Sequence, residues 1–259
     1  MVVDTHAHLM FDQFKDEVPE VLARAAAAGV CKIINIGCSA ESSAQAVELV
    51  GEFGGREEVE LYATLGLHPY DAMELSDDLL VKWEEWIKDS SNKVVAIGEI
   101  GLDYFKAKVS HEDQKRAFRG QLEFAKAVDL PVVVHNREAD EDTLEILREY
   151  PNLKVVFHCY GSNLDYARKL WDLGYYTSFT GVITYPNARD LHEVVSEAPD
   201  WTLMVETDCP FLAPQVHRGE TNEPSYVVEV LKEVARLRGK SFEEIESLQE
   251  RNVKEFYGI

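Results

Sequence analysis

Val2-Val3-Asp4-Thr5-His6-Ala7-His8 is a short β-branched run that ends in two histidines. The same arrangement, an apolar strand closed by a chemistry-bearing side chain, returns along the chain. Glu99 follows the run Val94–Gly98, His135 follows Pro131–Val134, His158 follows Lys154–Phe157 and Asp208 lies just beyond Thr202–Val205. His68 stands past Glu60–Leu65, and with Lys32–Ile36, Tyr175–Ser178 and the opening run Val2–Thr5 the predicted strands number eight. Amphipathic stretches of helical period separate them. Gly29 closes the one from Val18 to Ala28, and Gly174 the one from Leu164 to Leu173.

Strict strand–helix alternation requires parallel strands joined by right-handed crossovers. Eight units fit either a closed barrel or an open doubly wound sheet, and the polar residues decide between them. In a barrel the carboxyl ends of all strands converge on one face, whereas an open sheet can hold its first and eighth strands far apart. The sequence therefore predicts an α/β fold, a (β/α)8 TIM barrel forming a single domain over residues 1–259, a length that such barrels commonly take. No Pro-, Gly- or Ser-rich linker and no short repeat interrupts the alternation.

Composition narrows the function. With 46% hydrophobic residues and no low-complexity tract, the chain can bury a large core. The N-terminus lacks the basic and apolar runs of a secretory signal, and no stretch approaches the roughly 18 apolar residues of a membrane span. A cytoplasmic protein without membrane attachment is expected, and a monomer is compatible with the sequence. Cys31, Cys38, Cys159 and Cys209 lack Cys-x-x-Cys spacing, which argues against a disulfide framework or thiolate zinc site and for buried free thiols. The formal charge of −21, from 47 acidic against 26 basic residues, opposes nonspecific attraction to nucleic acid or anionic membranes. A polyanionic substrate would need local cations or metal. There is no Gly-x-Ser-x-Gly elbow, Walker loop or dinucleotide fingerprint.

The strand-end residues point to metal chemistry. His6 and His8 are two apart, so on an extended strand both face one side and can clamp one cation. His135 and His158 end adjacent strands and can hold a second. Glu99, set between glycines after an apolar strand, is costly to desolvate without a cation beside it, and its two oxygens can bridge two ions. Asp208 suits the roles of ligand and general base toward metal-activated water. The expected ligands are thus His6, His8, Glu99, His135, His158 and Asp208, with Glu99 and Asp208 also catalytic. Mixed imidazole and carboxylate donors suit one or two divalent ions among zinc, manganese, cobalt and iron, with magnesium retained. His68, Arg137 and Arg218 are candidate substrate contacts, against the plainer readings of a hydrogen-bonded rim histidine and surface ion pairs. Asp103 and Glu206 are expected to support the ligands. His111 and His192, on helical stretches, are expected to be exposed and without a role. His217 lies in an irregular segment, 214–224, that the pattern does not place.

These motifs resemble the TatD-type deoxyribonucleases. The resemblance is carried by Val3-Asp4-Thr5-His6-Ala7-His8, Gly66-Leu67-His68-Pro69, Ile97-Gly98-Glu99-Ile100-Gly101-Leu102-Asp103-Tyr104, Val134-His135-Asn136-Arg137-Glu138, Phe157-His158-Cys159 and Glu206-Thr207-Asp208-Cys209-Pro210-Phe211-Leu212-Ala213-Pro214. Arg218-Gly219 and Asn222-Glu223-Pro224 resemble the family's late loop. The resemblance implies an amidohydrolase-type barrel with His6, His8 and Asp208 on one ion, His135 and His158 on another and Glu99 between them. It also implies metal-dependent DNase activity, a 3′ to 5′ exonuclease acting on single-stranded DNA or DNA 3′ ends. Cys159-Tyr160-Gly161-Ser162-Asn163 departs from the Cys-Phe-Ser-Gly-Ser often found there, so the adjoining substrate loop is expected to differ. The strong acidity suits a nuclease of low processivity that grips a strand end rather than tracking along it. A small-molecule amide or ester hydrolase using the same metals is the alternative, and a metal-binding scaffold without catalysis is a third reading.

Overall fold

A computed structural model describes residues 1–54 and 59–259. Its strands are β1 (Val2–Ala7), β2 (Val30–Asn35), β3 (Glu60–Leu65), β4 (Val94–Asp103), β5 (Val132–Arg137), β6 (Val155–Phe157), β7 (Tyr176–Phe179) and β8 (Leu203–Val205). All lie in one sheet in chain order, each parallel to the next. The helices between them are α1 (Val18–Ala27), α2 (Ala40–Phe53), α3 (Asp77–Lys88), α4 (His111–Ala127), α5 (Asp140–Leu147), α6 (Leu164–Asp172) and α7 (Arg189–Glu197). Beyond β8 come α8 (Val227–Arg238) and α9 (Phe242–Tyr257), where the sequence pattern predicted one helix per strand. No helix among the described residues is long and apolar enough to cross a membrane.

Local chemistry sets the helix starts. Side-chain oxygens of Ser39, Ser76, Ser110, Asn163 and Ser241 accept a backbone N–H from the first turn that would otherwise be unpaired, and Ser241 and Glu244 complete a reciprocal capping box. The strands are buried on both faces. Their outward side chains pack on the helices, while Val3, Ile34, Tyr62, Val95, Val133, Val156, Tyr176 and Met204, one from each strand, form a separate inner cluster. Val253, Phe256 and Tyr257 of α9 pack against that cluster.

The return from β8 to β1 is made differently from the other strand pairings. It has an isolated bridge, Ala7 to Cys209, with Asp208 N donating to His6 O at 2.9 Å and His8 N to Cys209 O at 3.0 Å. Side chains do the rest. Thr5 Oγ1 donates to Val205 O at 3.0 Å, and Gln249 Nε2 of α9 donates to Val3 O at 2.7 Å and Val205 O at 3.1 Å. The buried Asp4 accepts from Thr207 N at 2.9 Å and from Thr207 Oγ1 at 2.6 Å.

Two boundaries differ from the sequence pattern in ways that matter for the site. β4 does not stop at Gly98 but continues through Glu99 to Asp103, and β5 runs on to Arg137. The glycines in β4 allow close approach rather than ending the strand. Gly101 has φ +143°, and a Cβ there would collide with the His135 carbonyl.

Candidate metal centre

The carboxyl ends of β1, β4, β5, β6 and the segment after β8 bring six of the sequence-predicted residues into one cluster. His6 and His158 stack with ring centroids 4.1 Å apart, so the two pairs of histidines are in direct contact. Glu99 sits between them, almost wholly buried at 5% exposure. Its two oxygens face different partners: Oε1 lies 2.8 Å from His135 Nδ1 and 2.8 Å from His158 Nε2, while Oε2 lies 3.5 Å from His6 Nε2. Asp208 Oδ1 is 3.5 Å from both His6 Nε2 and His8 Nε2.

The ring tautomers follow from fixed neighbours. His8 Nδ1 lies 3.0 Å from the Ile36 carbonyl, which can only accept, so Nδ1 carries the proton and Nε2 presents a lone pair. That nitrogen is 3.1 Å from His6 Nε2, so two inward ring nitrogens and a carboxylate oxygen surround a common point. His6 Nδ1 is buried and has no hydrogen-bond partner among the described residues. This donor set fits a divalent cation: borderline nitrogens, hard oxygens and a buried negative charge converging together.

His68 behaves differently. Its Nδ1 accepts from Tyr70 N at 3.2 Å, so in the neutral ring Nε2 is the donor, and that atom lies 3.6 Å from Glu99 Oε1. Burial pushes its pKa down to about 3, against the pull of Glu99. His68 therefore offers an N–H to the site rather than a lone pair.

Two carboxylates stand behind the histidines. Asp103 Oδ2 lies 3.3 Å from His135 Nε2 and accepts from Tyr70 Oη at 3.1 Å, while Asp103 Oδ1 takes the backbone N–H groups of Phe105 and Lys106. Glu206 Oε1 accepts from Cys159 N at 2.7 Å and approaches His158 Nδ1 to 3.3 Å, without the alignment of a hydrogen bond. Burial works against charge on Glu99, yet His158, His68 and His135 together hold its carboxyl well below the usual range. For His158, burial disfavours the cation but Glu99 and Glu206 raise its pKa well above the ordinary value. Burial likewise opposes ionisation of Asp208, and His8, His6 and His158 bring it below the usual carboxylate value.

His8, Glu99, His135, His158 and Asp208 of the cluster line a cleft of about 990 Å³, and His6 is fully buried outside that lining. Arg137 lines it, exposed, with its guanidinium 4.3 Å from the Phe105 ring centroid. Arg218 does not line the cleft; it stacks on Tyr185 at 4.2 Å. His217 stacks on Tyr226 at 3.7 Å and pairs with Glu220, also away from the cleft lining. His111 is exposed as expected, but His192 is half-buried, with Nε2 2.7 Å from the Ile183 carbonyl, because α7 packs back on the turn after β7. The cysteines are free, yet Cys209 alone of the four is fully buried, and Cys38 and Cys159 reach the cleft. Sequence reasoning missed Lys106, Phe11 and Phe211 among the lining residues. Their signal was position on the loops after the strands that carry the cluster, which says nothing about where a side chain turns.

A sequence-family profile described as TatD related DNase matches residues 3–258. A protein of Bacillus subtilis described as the uncharacterized metal-dependent hydrolase YabD is 41% identical, with all of both chains covered. A second, described as the uncharacterized metal-dependent hydrolase YcfH of Escherichia coli, is 34% identical over 100% of this chain and 96% of its own. Among solved structures, the crystal structure of YjjV, a TatD homolog from Escherichia coli, superposes with a TM-score of 0.90 at 33% identity, covering 99% of this chain and 98% of that one.

Proposed function

This chain belongs to the TatD related DNase family and is a metal-dependent hydrolase, and we propose that it cleaves phosphodiester bonds of DNA, releasing nucleotides from single-stranded 3′ ends. The observation that supports this most is the division of Glu99, one oxygen toward His6 and the other toward His135 and His158. A carboxylate so placed suits two ions at a bridging distance. In this reading His6, His8 and Asp208 would hold one, His135 and His158 the other, and Glu99 would serve both. Zinc, manganese, cobalt, iron and magnesium are the candidates. When bound, such ions supply Lewis acidity toward a phosphoryl oxygen and make water a nucleophile near neutral pH.

The chain's own groups do the remainder. Asp208 lines the cleft and is assigned as the base that takes a proton from the attacking water. His68, neutral and with its N–H directed toward the site, donates to a phosphoryl oxygen and so orients the substrate. Lys106 and Arg137, neither ion-paired with a described carboxylate, place positive charge on the cleft wall of a strongly acidic protein and receive the neighbouring phosphate. Arg218, held on Tyr185 outside the cleft, is left to a contact further along the strand.

The test is release of nucleotides from a labelled single-stranded oligonucleotide by protein loaded with manganese or magnesium. Glu99→Ala is expected to reduce the rate by more than about a hundredfold, since even the partners behind a ligand are worth ten- to a hundredfold. Loaded wild-type protein that leaves DNA and RNA intact but hydrolyses small amides or esters would overturn the nuclease reading.

A further inference from the structure

Phe11 and Phe211 stand on the loops after β1 and β8 and both line the cleft, their ring centroids 6.1 Å apart and edge to face. Phe211 leaves 48% of its surface open. An apolar ring that is so exposed is usually mobile, but this one is carried on a fixed loop. Phe211 N donates to Asp208 O at 3.0 Å, and the fully buried Asn222 ties the segment down, its Nδ2 donating to Phe211 O at 2.5 Å and Thr207 O at 2.8 Å. Phe11 is held as firmly, its ring lying parallel to that of His8 at 4.7 Å. Two aromatic rings, rigidly presented to a binding cleft and unused by the core, are suited to a planar, weakly polar partner.

The other wall of the cleft carries the opposite chemistry. Lys106 stands on the loop after β4 and Arg137 at the last position of β5, beside Glu138 and Asp140, with the histidine and carboxylate cluster between the two walls. A ligand that meets all three surfaces has a planar ring at one end and a negative charge at the other, with a reactive bond over the cluster. A nucleotide has that form.

We infer that Phe11 and Phe211 are a stacking platform for one nucleobase beside the scissile bond. The occupant rests on the nucleic-acid reading above. Stacking needs one face of the base free, which a base within a continuous stack does not offer. The platform is indifferent to base identity because every base has a π-face, so it recognises the presence of a base and not the sequence.

The experiment compares binding of dAMP with that of 2-deoxyribose 5-phosphate to the manganese-loaded protein by calorimetry. The expected result is about tenfold tighter binding of dAMP, in line with stacking on a single aromatic residue. Phe211→Ala is expected to bring the two ligands to the same affinity, and Phe211→Trp to keep or widen the gap. Equal affinity in the wild type, or a preference that survives Phe211→Ala, overturns the platform. Cleavage of oligonucleotides ending in a normal or an abasic nucleotide is followed in parallel: the wild type is expected to prefer the normal end. If no oligonucleotide is cleaved, the nuclease reading fails, while the dAMP comparison still decides the platform.

Discussion

Glu99 illustrates how much one side chain depends on its immediate supports. Its carboxylate is buried, and the imidazoles of His6, His68, His135 and His158 all lie within 3.6 Å of its oxygens. Two imidazoles of the cluster in turn have a hydrogen-bonding neighbour behind them, Ile36 O for His8 and Asp103 for His135. Asp4 is a second such residue, with Thr207 donating to it through both N and Oγ1. Thr207→Val removes one of those donors and leaves a buried carboxylate oxygen unpaired. We expect a loss of about 1–3 kcal/mol in stability, read as a lower urea midpoint with an unchanged slope. At this scale the sequence was informative wherever chemistry is tied to a strand end: His6, Glu99, His135, His158 and Asp208 each follow an apolar run. It was silent on Phe11, Lys106 and Phe211, because the direction of a loop side chain is set by packing partners far away in the chain. Asn222, which fixes Phe211, lies 11 residues beyond it.

Among the elements, β4 carries the most of the site. It contributes Glu99 and Asp103 and passes so close to β5 that no side chain fits at Gly101. Gly101→Ala forces both a strained φ and a collision with the His135 carbonyl, so we expect a destabilisation of about 2–4 kcal/mol. Because Glu99 and His135 flank that contact, the metal content of the purified variant, measured by atomic emission, is expected to fall with it. The eight strands were readable to within a few residues from β-branched runs alone, and β3 falls where its pattern put it. β4 was read as five residues too short, since glycines that serve close packing have the same appearance in sequence as glycines that end a strand. The second helix after β8 escaped notice for another reason. Gly239, at φ +62°, closes α8 and the Ser241 cap opens α9 at Phe242, a break that a pattern of one helix per strand passes over.

For the whole molecule, closure was the feature that convergent polar residues made legible and that no local pattern could have supplied. What the pattern did not reveal is how closure is achieved: through the side chains of Asp4, Thr5 and Gln249 where other strand pairs use backbone ladders. A cation bound only by the folded site adds stability in proportion to the logarithm of its concentration, about 2.7 kcal/mol at a hundredfold excess over its dissociation constant. Chelation is therefore expected to lower the melting temperature by about 5–10 °C, with the full shift restored by manganese, as scanning calorimetry would show. A midpoint unmoved by chelator would argue that the ligand cluster and the fold are energetically independent.

The lightly laddered junction between β1 and β8 has His6 and His8 on one side and Asp208 on the other. An ion gripped by these three would work as a clasp, fastening the edge that has the fewest backbone bonds to its neighbour. Amide hydrogens of β1 should then exchange with deuterium markedly faster in stripped protein than in loaded protein, while those between β4 and β5 respond less. Cofactor supply would in that way govern not just turnover but how long the molecule survives in the presence of proteases.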